Sequence, residues 1–123
     1  MKSQAVLVLG TYANKGLIDI LFGIGLAPLV RDSIQGILDK LRHEQFGVII
    51  ADCKYANIDI LEFVLNVRDI DEQTLVVVLG KLNDEAVRKT LTSQKQTTIV
   101  EDTEDSNKLA GRLEQILTSL EGK

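Results

Sequence analysis

The chain has 123 residues, 45% of them hydrophobic and 26% charged, enough for one continuous core and inconsistent with wholesale disorder. Its net charge of −4 has the wrong sign for a nucleic-acid binder. No apolar run approaches the roughly 20 residues of a membrane span, and the opening MKSQAVLVLG lacks a signal-peptide layout. The expectation is a cytoplasmic chain forming a single domain over 1–123, with neither nucleic acid nor membrane among its partners.

The elements alternate along the chain. Ala5–Leu9 is apolar at every position, the pattern of a strand covered on both faces. Leu17, Ile20, Leu21 and Ile24 recur at helical spacing. Phe22 to Leu26 reads as a tight helix end packed on the sheet. Pro28 opens a weaker extended stretch, Leu29–Arg31. Ser33 is placed to cap a helix carrying Ile34, Ile37, Leu38 and Leu41, with His43 near its exposed end. Val48–Ala51 is a third strand. Asn57 or Asp59 caps the next helix, whose stripe reads Leu61, Val64, Leu65 and Arg68. Leu75–Leu79 is the fourth strand, and Asn83 or Asp84 opens a short helix with Val87 and Leu91. Thr97–Val100 is the last strand, and Leu109, Leu113, Ile116, Leu117 and Leu120 stripe the last helix.

Five β-α repeats joined by right-handed crossovers make an open, doubly wound parallel sheet. Ligand sites in such sheets lie at the carboxyl ends of the strands. The positions to inspect are Gly10-Thr11, Asp52-Cys53-Lys54, Gly80-Lys81 and Glu101-Asp102. The single histidine and the single cysteine, Cys53, argue against a histidine-built metal site, a Ser-His-Asp triad and an internal disulfide. A phosphate loop is absent, since Lys15-Gly16 reverses the required order, and no GxGxxG occurs. With only 4% aromatic residues, a flavin-type binder is disfavoured. The acids Glu101, Asp102, Glu104 and Asp105 read as charge at the start of the last helix.

The stretch FGVIIADCKYANIDILEF, Phe46 to Phe63, resembles the third strand, loop and third helix of response-regulator receiver domains. Asp52 falls at that family's phosphoacceptor position, Asp59 stands seven residues on where the family has an Asp, and Glu62-Phe63 matches its acidic-apolar pair. The upstream LDKLRHEQFGVII is similar too. The resemblance implies a flavodoxin-like (CheY-like) α/β fold, five parallel strands in the order 2-1-3-4-5, with helices on both faces. It implies two-component signalling and a protein partner, a kinase or an output protein. It also implies a possible homodimer through the fourth helix, fifth strand and fifth helix, which places Val87, Leu91, Ile99, Leu109 and Leu113 at a partner interface.

The sequence departs from that pattern around Asp52. The acidic pair that holds Mg²⁺ after strand one corresponds to Gly10 and Thr11. The Thr or Ser after strand four is Gly80, the lysine ending strand five is Glu101, and the aromatic switch position is Thr98. Phosphoryl transfer to a carboxylate depends on positioning and charge neutralisation. Asp52 with the Lys54 carbonyl is a poor Mg²⁺ shell, and like charges about 5 Å apart repel by more than ~1 kcal/mol at a partly wet site. The expectation is a pseudo-receiver with a degenerate pocket, no metal, no cofactor and no catalysis, with Lys81 as a candidate counter-charge for Asp52. The alternative is a working phosphoacceptor, with Mg²⁺ and with Asp52 modified by a histidine kinase or a small phosphodonor.

Overall fold

The computed structural model describes residues 5–10, 15–52, 59–80, 84–100 and 106–121. Their elements run β1 (Ala5–Leu9), α1 (Lys15–Gly23), β2 (Ala27–Arg31), α2 (Ile34–His43), β3 (Val48–Asp52), α3 (Ile60–Ile70), β4 (Leu75–Leu79), α4 (Glu85–Ser93), β5 (Thr97–Val100) and α5 (Ser106–Glu121). All strand pairs are parallel, in the order β2-β1-β3-β4-β5. β3 and β4 are buried at every position, which is why they read as unbroken apolar runs rather than alternating ones.

Side-chain alternation divides the core between the two faces of the sheet. Leu7, Leu9, Ile49, Ala51, Val76 and Val78 pack with residues of α2, α3 and α4. Val6, Val8, Val48, Ile50, Val77 and Leu79 pack with Leu17 and Leu21 of α1 and with Leu109 and Leu113 of α5. Helix starts are fixed by side-chain caps. Ser33 Oγ accepts from Gly36 N at 3.0 Å, Asp59 Oδ1 from Glu62 N at 3.1 Å, and Asp84 Oδ1 from Ala86 N at 3.0 Å and Val87 N at 3.2 Å. Asn57 and Asn83, the other candidate caps, lie outside the described residues. At the end of α1, Gly25 takes φ +83° and Leu26 N donates to Leu21 O at 3.0 Å, which closes the last turn as the glycines suggest.

Three expectations need correction. β2 is longer than Leu29–Arg31 and includes Pro28, which costs no ladder bond because β2 is an edge strand. The buried stripe of α3 is Ile60, Phe63, Val64 and Val67; Leu65 is 45% exposed. Arg68 is not a member of that stripe. The third face-assignment concerns the expected interface: Leu91, Leu109 and Leu113 are buried in the two cores, while Val87 and Ile99 are half-buried against one of them. Apolar spacing on these elements marks the side facing the sheet, so these residues present little to a partner. Of the expected α5 stripe, Ile116 packs partly on the core, as read, and the side chains of Leu117 and Leu120 lie outside the described residues.

Arg68 instead ties the amino ends of the strands together. Its Nη1 donates to Thr74 O at 2.8 Å and Asp71 O at 3.3 Å. Its Nη2 donates to Gln96 O and to Thr97 Oγ1, the latter at 3.1 Å. Gln96 holds a left-handed φ of 54° and its carbonyl also accepts from Val76 N. Next to this knot, Thr74 Oγ1 donates to Phe46 O at 2.7 Å and Asp71 Oδ1 accepts from Gln73 N at 2.8 Å and Thr74 N at 3.2 Å. Burial pulls the guanidinium pKa below its usual value, opposed by the nearby Asp71 charge. A planar fork reaches four acceptors on two loops; a point ammonium does not. Arg68→Met is expected to cost about 1–2 kcal/mol, discounted for partial exposure, with Arg68→Lys recovering only part. Urea unfolding of the three proteins checks this.

Candidate functional site

Asp52 closes β3, the central strand of the sheet, as the polar end of Val48-Ile49-Ile50-Ala51-Asp52. It is 3% exposed, one of two polar side chains buried among the described residues. The other, Thr74, sits at the amino end. Alternation turns Asp52 to the same face as Val48 and Ile50, the face covered by α1 and α5. A carboxylate this deeply buried needs compensating polar contacts, and Asp52 has such an interaction.

Register gives its neighbours. On the β4 side its partner is Leu79, which in turn pairs with Val100 of β5. On the β1 side Leu9 pairs with Ala51, so the residue beyond, Gly10, lies across from Asp52. A Cβ built at Gly10 would stand 3.2 Å from the Asp52 Cβ and 3.8 Å from its Oδ2. The Gly10 backbone avoids the left-handed region, so a side chain there would meet the close approach of Asp52 rather than dihedral strain. Its N–H donates to Arg31 O at 2.9 Å and fixes the end of β1 against β2.

Gly80, which follows β4, is a glycine for a different reason. Its φ is +137°, a conformation that side chains strain, and its N–H donates to Val100 O at 3.1 Å. The two positions flanking Asp52 across the sheet ends therefore lack side chains, one at a close approach and one at a positive φ. The sequence displays both glycines but neither feature.

The structure thus brings Gly10, Asp52 and Gly80 to one edge of the sheet. Thr11, Cys53, Lys54, Lys81, Glu101, Asp102, Glu104 and Asp105 lie outside the described residues, so the pairing expected between Lys81 and Asp52 stays an expectation. Asp59, at the start of α3, uses Oδ1 as a helix cap. Thr98 occupies the middle of β5, half-buried and paired with Val77. His43 stands far from this edge, exposed at the end of α2, with Nδ1 2.7 Å from Asp39 O. It borders an open groove of about 460 Å³ at the amino ends of the strands, with Arg42, Glu44, Ile70, Asp71 and Glu72. That groove and Asp52 occupy opposite ends of the sheet, and Oδ1 of its Asp71 is taken by backbone N–H groups.

No protein-family model matches the chain, and no curated protein matches it in sequence. Solved structures do match in shape. A CheY-like receiver domain protein from Methanospirillum hungatei superposes with a TM-score of 0.79 at 11% identity, covering 99% of this chain and 98% of that one. The receiver domain of a Pseudomonas aeruginosa sensor histidine kinase, with magnesium in its active-site cleft, gives 0.76 at 14% identity, covering 98% and 99%. A chemotaxis response regulator of Vibrio cholerae gives 0.74 at 18% identity, covering 94% and 99%. Strand order, helix placement and these superpositions agree: the chain has the CheY-like receiver fold.

Proposed function

We propose that the chain is an atypical receiver domain of two-component signal transduction that acts through contacts with a protein partner, a kinase or an output protein. Its phosphorylation pocket is degenerate. The observation that carries this reading is the setting of Asp52: a buried carboxylate at the carboxyl end of the central strand of a receiver fold, flanked by two positions without side chains. Phosphoryl transfer to a carboxylate is accelerated by groups that neutralise and orient the incoming phosphoryl. At Gly10 and Gly80 there is no side chain to do either.

The test is intact mass after incubation with acetyl phosphate and Mg²⁺, with Asp52→Ala as control. The expected result is an unmodified parent. A phosphoryl adduct on the parent and none on the control would establish the working phosphoacceptor instead. Gly80→Thr, which supplies the hydroxyl typical of the family, is expected to lower stability by about 1 kcal/mol or more because of its φ. It is not expected to create an adduct.

For the partner face we look to the outward side of α4 rather than to its buried stripe. On α4 the outward residues include Lys89, Thr90, Thr92 and Ser93, above the buried Leu91. Thr90 and Thr92 hydroxyls donate back to helix carbonyls, which leaves Lys89 as an exposed charge beside them. If copies of the chain pair through α4, β5 and α5, Lys89→Glu weakens that association about 2- to 5-fold. Sedimentation equilibrium reads the change; an unaltered constant would remove this face from the dimer.

A further inference from the structure

We infer that Arg68 is a latch on a unit that opens by itself: α4 and the turn leading into β5 detach from the sheet while β1, β3 and α3 stay folded. The inference goes beyond the receiver reading and stands whether or not Asp52 accepts a phosphoryl group. Its residues lie at the amino ends of the strands, opposite Asp52.

Three observations carry it. First, α4 is weakly held. Leu91 is its one fully buried side chain, with Val87 half-buried, whereas α2 buries Ile37, Leu38 and Leu41 and α3 buries Ile60, Phe63, Val64 and Val67. Packing of an apolar face is what keeps such a short helix formed. Its sequence EAVRKTLTS also carries Val, two Thr and Ser, which form helix poorly. The hydroxyls of Thr90, Thr92 and Ser93 donate back to the carbonyls of Ala86, Arg88 and Thr90, a pattern that loosens a helix slightly. Second, the turn after α4 is held from outside. Gln96 stands at φ 54°, a conformation that a residue with a side chain adopts at a cost. Its carbonyl accepts from Val76 N at 2.8 Å and from Arg68 Nη2, which also donates to Thr97 Oγ1 at 3.1 Å. Third, the latch has two unlike halves. Nη1 stays within the α3–β4 turn, on Asp71 O and Thr74 O, and only Nη2 crosses to the α4–β5 turn. Arg68 Nε is buried with no hydrogen-bond partner among the described residues, a cost that water relieves once the Nη2 half lets go. The closed state thus sets a few directional bonds against an unsatisfied donor and a left-handed residue, which places its opening below global unfolding in free energy.

The experiment is native-state amide hydrogen exchange of the full ¹⁵N-labelled chain at increasing urea. Val76 is the diagnostic amide. It lies in a strand buried at every position, so without a latch that opens it exchanges only by global unfolding, together with Ile49 and Ile50 of β3. Because its acceptor is Gln96 O, Val76 is expected to exchange with Leu91 of α4, at least about 10-fold faster than Ile49 and Ile50 and with little dependence on urea. Arg68→Met accelerates Val76 and Leu91 by about 5- to 30-fold. Thr97→Val keeps a residue suited to a strand and removes one acceptor of the fork. It accelerates the same two amides by about 2- to 10-fold, and it decides the matter where Arg68→Met does not fold. Ile49→Val, a core change on β3, accelerates Ile49 and Ile50 and leaves Val76 and Leu91 at their parent rates. Exchange of all four amides as one urea-sensitive class overturns the inference, as does a Val76 rate that Thr97→Val leaves unchanged.

Discussion

Two-sided burial of the central strands is the constraint from which the rest follows. β3 and β4 are covered by helices on both faces, so each residue of Val48–Ala51 and Leu75–Leu79 removes apolar surface from water. At about 25 cal/mol per Å² this is the main stabilising term of such a domain. The same covering leaves nowhere for polar chemistry except the strand ends. Asp52 is the first residue of β3 at which the chain leaves the apolar run, and it leaves it only just, at 3% exposed.

That placement couples Asp52 to its neighbours. Gly10 lies on one side and Leu79 on the other, with Gly80 beyond β4 at positive φ. The amino ends are held separately, by Arg68, Thr74 and Asp71. The sheet is thus pinned at one end by a hydrogen-bonded knot. At the other, Asp52 is the one buried carboxylate among the described residues, with Gly10 and Leu79 beside it.

Much of the architecture was legible in the chain. Apolar runs without alternation announced buried parallel strands, and Ser33, Asp59 and Asp84 stood where caps form. Pro28 obscured β2, because an edge position tolerates what a central strand does not. The α3 stripe was misplaced because Leu61, Val64, Leu65 and Arg68 share helical spacing with Ile60, Phe63, Val64 and Val67. Spacing alone does not say which of two overlapping stripes faces the sheet. Leu91, Leu109 and Leu113, which the family resemblance placed at a partner interface, are buried in the two cores. At the site, the sequence located Asp52 and the two glycines. It did not reveal that Gly10 approaches Asp52 closely or that Gly80 takes a positive φ, since both depend on how the strand ends are set against one another.

The most direct test is the unfolding free energy of Asp52→Asn against the parent in metal-free buffer. In a pocket of several carboxylates, removing one charge relieves repulsion and stabilises the fold. Here Asp52 is the one buried carboxylate among the described residues, and its polar interaction is part of the fold. The account therefore predicts a loss of about 1–3 kcal/mol. A variant more stable than the parent would contradict it and would point to an acidic, metal-ready site.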